Sequence, residues 1–214
     1  MATFPAAPLR INLGTWAVPT TDLPAVAAVL LDALPAEPFD PAFRGQELET
    51  TYFDTPDFAL RKARRRGGPY LTLRVRCYSR GEGREAYALS AKTEKEKWRT
   101  EIAPETADLL LESPSALVTL LALLPADLAA RLLDLAGEQG VRPVACVGAR
   151  RYAVEGPQDR LTLDVAVGTD SGKRLPFHVL EFKCTDAGSA PPGRLPALAL
   201  RPIKLSKFLW ATEV

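Results

Sequence analysis

Histidine is almost missing: His178 is the only one in 214 residues. That excludes a histidine-based acid–base pair and a His-rich metal site. Cysteine is nearly as sparse. Cys77, Cys146 and Cys184 lie far apart with no paired spacing, which excludes a zinc motif or a disulfide framework and leaves buried free thiols of a reducing compartment. Long apolar runs are absent too, and stretches such as "ALVTLLALL" are too short to span a bilayer. The start, "MATFPAAPLRINLGTW", has no basic opening followed by a long apolar run, so no signal peptide is expected and the reading is a soluble, cytoplasmic protein. Excess charge of one sign is missing as well. With 27 basic and 26 acidic residues the net charge is +1, so bulk attraction to nucleic acid is not implied. Any anion binding must come from local placement of charge. Finally, no Gly-rich phosphate loop precedes a helix; "GARRYA" and "RRRGGPY" lack the flanking pattern.

What is present is a globular composition, 47% hydrophobic and 25% charged. Residues 10–18 read as a strand. The segment "TTDLPAVAAVLLDAL" follows as a helix, with Thr21 or Asp22 as a cap and Leu23, Val26, Val29, Leu30 and Leu34 at helical spacing. "PAEPFDPAF" is a loop. "QELETTYFDTPDFAL" is a strand closed by the turn signal "DTPD". The basic run "RKARRR", residues 61–66, reads as a solvated loop, or more sharply as an entrance patch for a polyanion. Strands follow in "GPYLTLRVRCYSR", "AYALSAKTEK" and "EKWRTEI". A helical stretch covers about 104–139, with Pro104, Pro114 and Pro125 at first helical turns and Gly137 and Gly140 at helix ends. Strands resume in "RPVACVGARRYAVE", "DRLTLDVAVGTD" and "FHVLEFKCT". Strands, a helical insert and strands again predict one α+β domain over residues 1–214, built on an antiparallel sheet.

The charges on these strands share a parity. A strand turns every second side chain to one face. Arg74 and Arg76 face one way, against Leu73 and Val75. Lys97, Arg99 and Glu101 share a face, as do Ser90 and Lys92, Arg160, Thr162 and Asp164, and Glu181 and Lys183. His178 falls instead with Leu180 and Phe182, which marks it as structural. A plain wet face explains any one strand. The set is richer in Arg and Lys than a generic surface. If the sheet closes into a barrel, these faces line a basic lumen, suited to phosphates gripped by arginine forks and lysine charges.

The order of the motifs adds to this. "TTYFDTPDFALRK", "LTLRVR", a strand ending in Lys92, "KWRTEI", "RRYAVEGPQDRLTLD", "VLEFK" and "LSKF" follow one another from about residue 10 to 210. The series resembles the VTC domain, the polyphosphate polymerase branch of the triphosphate tunnel metalloenzymes. The related CYTH domains, which include inorganic triphosphatases and adenylate cyclases, share the "YFDTP" and "LRVR" parts. The resemblance implies an eight-stranded antiparallel β-barrel with a helical insert, binding a nucleoside triphosphate, triphosphate or polyphosphate together with Mg²⁺ or Mn²⁺. By motif position Arg74, Arg76, Lys92, Lys97, Arg99, Arg151, Arg160 and Lys183 would grip phosphate. Glu181 would be the metal ligand, and Lys207 would sit near the transferred phosphoryl. The implied reaction passes a nucleotide's terminal phosphoryl to a growing chain. A CYTH-type triphosphatase and a non-catalytic phosphate-binding module are the alternatives. The third rests on two departures from the family pattern: "LGTW", Leu13–Trp16, lacks the charges of the usual first strand, and Ser90 stands where a glutamate is usual. Asp164 and Glu101 are the other carboxylates at hand.

Overall fold

In the computed structural model, residues 11–32, 45–80, 84–156, 158–185 and 198–213 are described. The expected period-two segments form strands β1 (Ile11–Val18), β2 (Gln46–Asp54), β3 (Thr72–Arg80), β4 (Arg84–Lys92), β5 (Lys97–Ile102), β6 (Arg142–Glu155), β7 (Asp159–Thr169) and β8 (His178–Cys184), with a two-residue β9 (Arg201–Pro202). The helices are α1 (Leu23–Asp32), α2 (Ala59–Arg66), α3 (Pro104–Glu112), α4 (Leu117–Leu123), α5 (Ala126–Ala136) and α6 (Lys207–Ala211). The strands hydrogen-bond in the order β5-β4-β3-β2-β6-β7-β8-β1-β9. The expected closed barrel of eight strands is therefore not what the described residues form. Their ladder has nine strands and two ends, β5 and β9. The ninth comes from the tail, where Arg201 and Pro202 add to β1; proline has no N–H to offer a further strand and suits an edge.

The described chain falls into two compact units. One holds β2 from Leu48, β3–β5, the start of β6, and α2–α6. Its core takes the apolar faces of β3 and β4 (Leu73, Val75, Leu89, Ala91) and packs them on Leu110, Leu120, Leu128 and Leu132 of the helical insert. The predicted insert is thus present. Pro104 opens α3, and Pro125 stands at the cap of α5. Pro114 differs: it precedes α4, whose first residue is Leu117.

The other unit holds β1, α1, β7, β8, β9 and β6 from Gly148. Val26, Val29 and Leu30 of α1 cover Leu161, Leu163, Leu180 and Phe182 of β7 and β8. The "LGTW" segment serves this packing. A Cβ on Gly14 would collide with the Trp16 ring, so the position needs glycine. Leu13 and Trp16 both pack on the apolar cluster. His178 starts β8, opposite Val18 of β1. Its Nδ1 accepts from Ala166 N at 3.3 Å, and burial lowers its pKa. Of the cysteines only Cys184 is fully buried; all three are free thiols.

The basic run is a helix, not a loop, and the reason lies in "DTPD". Asp54 is fully buried. Its carboxylate accepts from Thr55 N (2.8 Å), Leu60 N (2.8 Å) and Arg61 N (2.9 Å), and Thr55 Oγ1 accepts from Ala59 N (2.7 Å). These contacts satisfy N–H groups that a helix start leaves orphaned. Burial raises the Asp54 carboxyl despite those bonds. The cations of the run are then largely spent within the protein. Arg61 donates to Thr212 O, Lys62 to Asp57 (3.1 Å), Arg64 to Thr72 Oγ1 (3.0 Å) and Arg65 to Glu213 (2.6 Å). Replacing Asp54 with Ala strands buried amide donors and is expected to cost about 2–4 kcal/mol in urea unfolding. A loss under 0.5 kcal/mol would show that the cap does not hold α2.

Candidate functional site

The polar faces of β3, β4 and β5 are set by register. Thr72 pairs with Lys92, Arg74 with Ser90, Arg76 with Ala88 and Tyr78 with Ala86. On the far side of β4, Lys92 pairs with Lys97, Ser90 with Arg99 and Ala88 with Glu101. Directly opposed residues of an antiparallel pair project to the same face. Arg74, Arg76, Lys92, Lys97 and Arg99 are thus brought onto one face, as the parity predicts. The middle strand contributes small side chains there: Ala86, Ala88 and Ser90. Two cationic rows flank a low floor.

Local chemistry fixes that register. The β4–β5 turn closes with Thr93 N donating to Glu96 O at 2.9 Å, while Thr93 Oγ1 accepts from Lys95 N and Glu96 N. Glu94 is tied to Arg131 of α5 at 2.7 and 3.0 Å, and the Arg131 bond holds its carboxyl down to about 2. Arg76 is only 9% exposed and donates from Nε to Thr50 Oγ1 of β2 at 2.9 Å. Tyr78 lies beside it: the Arg76 guanidinium is 5.8 Å from the ring centroid, and that of Arg99 is 5.1 Å away. Sequence reasoning missed Thr50, because nothing local links it to Arg76 across 26 positions. Nor did it give Tyr78 a part.

In the other unit the polar face of β1, β7 and β8 carries Arg160, Thr162, Asp164, Glu181, Lys183 and Thr15. Glu181 sits in register between Thr15 on β1 and Thr162 on β7. Asn12 donates to Thr15 Oγ1 at 3.1 Å. The cations here are matched by carboxylates. Arg151 forks onto Asp164 with bonds of 2.6 and 2.7 Å, Lys183 Nζ meets Glu181 Oε2 at 2.7 Å, and Arg160 Nε meets Glu155 at 3.1 Å. Asp164 is therefore committed to Arg151. Thr162 is 3% exposed, and among the described residues its hydroxyl has no hydrogen-bond partner.

Lys207 is the first residue of α6. The preceding Ser206 caps that helix, accepting from Leu209 N at 3.4 Å, so its hydroxyl has a structural duty. Phe208 anchors the turn, 2% exposed and 5.4 Å from the Tyr52 ring. Among the described residues no three His, Cys, Asp or Glu side chains gather as a metal cluster, and no helix is long and apolar enough to cross a membrane.

The Arg151–Asp164 pair invites a direct check. Its side chains are 11% and 1% exposed. Arg151→Met alone leaves a buried charge unpaired and is expected to cost about 3–5 kcal/mol. Arg151→Met with Asp164→Leu should recover most of that. If the single variant unfolds at the wild-type urea concentration, the pair is not structural.

Comparison with known proteins comes at three levels. The sequence matches the CYTH domain over residues 27–188. No curated protein sequence matches the chain. Among solved structures, a candidate adenylate cyclase from Bacillus halodurans superposes with a TM-score of 0.65 at 16% identity, covering 95% of this chain and 96% of that one. A candidate adenylyl cyclase from Hippeastrum, with a dominant triphosphatase activity, superposes with a TM-score of 0.55 at 16% identity, covering 96% and 97%. At such identities these likenesses speak for the fold. The domain match spans most of the chain, and with it the fold and the basic strand faces find their place: this chain belongs to the CYTH domain family.

Proposed function

We propose that this protein binds the phosphate chain of a triphosphate on the basic face of β3–β5 and hydrolyses it. The observation that carries the reading is the register itself. Arg74, Arg76, Lys92, Lys97 and Arg99 occupy one face, with Lys92 directly opposite Lys97. Like charges in register are unfavourable for a sheet. A polyanion seated among them turns that repulsion into attraction, through arginine forks and lysine charges. CYTH proteins act on triphosphates, which supports the same substrate class. The triphosphatase activity of the Hippeastrum protein points the same way.

Family members generally use divalent metal ions. The donor set of this chain fits a site with one carboxylate. Glu181, which also meets Lys183, supplies the charge; Thr15 and Thr162 flank it in register, and among the described residues the buried Thr162 hydroxyl has no hydrogen-bond partner. Magnesium commonly keeps waters and takes one or two carboxylates beside substrate phosphates. These residues would hold Mg²⁺ or Mn²⁺, which would supply Lewis-acid chemistry there when bound. The protein's own side chains supply grip and alignment. In hydrolysis a water oxygen bonds to the terminal phosphorus. The bond to the bridging oxygen breaks, and the shortened phosphate chain leaves with the electron pair. Positioning and charge stabilisation carry most of such catalysis.

A second reading uses the same grip with a phosphate chain, not water, as acceptor: a polyphosphate polymerase. Its support is the ordered series "RRYAV", "RLTLD", "LEFK" and "LSKF", similar to the VTC domain. One experiment separates the readings. The protein is incubated with inorganic triphosphate or ATP and Mn²⁺, and products are resolved by chain length. Free phosphate is the expected product; long polyphosphate would establish the polymerase. Thermal stabilisation by triphosphate without turnover would leave a binding module. Arg74→Gln and Arg99→Gln should each weaken triphosphate binding about tenfold or more. If triphosphate neither stabilises the protein nor is consumed, the reading fails.

A further inference from the structure

Tyr78 stands at the end of the cationic row of β3, on the same face as Arg74 and Arg76. Its partner across the β3–β4 ladder is Ala86, and the next residue on that face of β4 is Ala88. Only small side chains of β4 stand beside the ring on that face. From β3 itself Arg76 reaches to 5.8 Å of the ring centroid. From β5, two strands away, Arg99 crosses over β4 to 5.1 Å. Arg76 has a further anchor in Thr50 on β2. Two guanidinium groups that repel one another thus share one aromatic quadrupole, an attraction worth more as water is withdrawn. The phenol registers their presence. Burial alone would raise it, yet the charges of Arg76 and Arg99, a hydrogen bond from Arg76 and the charge of Arg74 bring it below its ordinary value.

We propose that Tyr78 is a positioning residue whose ring gathers Arg76 and Arg99 into a preformed pair for one phosphate group. This rests on the triphosphate reading above and deepens it. Holding the pair together in the free protein removes part of the cost of ordering two long side chains when the ligand arrives. The ring itself touches the guanidiniums; they touch the phosphate.

The test uses Tyr78→Phe, Tyr78→Leu and Arg99→Gln in the full chain, with inorganic triphosphate titrated by calorimetry. Tyr78→Phe keeps the ring and is expected to bind within about threefold of wild type, while Tyr78→Leu weakens binding about three- to tenfold. Combining Tyr78→Leu with Arg99→Gln should cost clearly less than the sum of the two single losses, since the ring acts in part through that arginine. A spectroscopic readout stands apart from binding. The tyrosinate absorbance lost in Tyr78→Phe reports the Tyr78 phenol, which Arg99→Gln should shift upward in the folded protein. Wild-type affinity in Tyr78→Leu, or losses that add fully in the double variant, overturns the proposal. A Tyr78 titration unmoved by Arg99→Gln overturns it too, even if Tyr78→Leu fails to fold. If wild type binds no triphosphate, the functional reading falls and takes this role with it, whatever the titration shows.

Discussion

The proposed phosphate face depends on the pleat of β3, β4 and β5 being held in one register. A strand shows alternate side chains to opposite faces, so a slip of one residue would exchange the two faces entirely. Leu73, Val75, Leu89 and Ala91 must lie on the helical insert, and that requirement alone obliges Arg74, Arg76 and Ser90 to point the other way. The cationic face is the reverse side of a hydrophobic core. The turn at Thr93–Glu96 and the Glu94–Arg131 tie add local insurance for the same register.

Charge is managed differently on the two polar faces. In the unit of β1, β7 and β8 each cation of the face meets a carboxylate: Arg151 meets Asp164, Lys183 meets Glu181, and Arg160 meets Glu155. In the unit of β3–β5, cations outnumber the single Glu101 in register with them. The Asp54 cap belongs to the same logic. By starting α2 it brings Arg61, Arg64 and Arg65 of the basic run into internal contacts.

Period-two alternation made the strands and the shared parity of Arg74, Arg76, Lys92, Lys97 and Arg99 legible, because both are properties of short stretches. The helical insert was legible for the same reason. Closure was not. Whether a sheet has ends depends on which strands meet, and β9 is two residues long with no pattern to read. The "RKARRR" helix was missed because its start is secured by a carboxylate seven residues before Arg61. Gly14 and Trp16 read as lost tunnel charges, whereas the fold shows a ring packed over a glycine. The Arg151–Asp164 and Arg76–Thr50 contacts cross strands, and no single stretch encodes them.

The central claim is that the face of Arg74, Arg76 and Arg99 is where the protein holds phosphate. A crystal structure with a non-hydrolysable triphosphate analogue tests it most directly. The account predicts phosphate density within hydrogen-bonding distance of those guanidiniums, over the small side chains of Ser90 and Ala88. Density at another surface, with none of these three arginines in contact with phosphate, would contradict it.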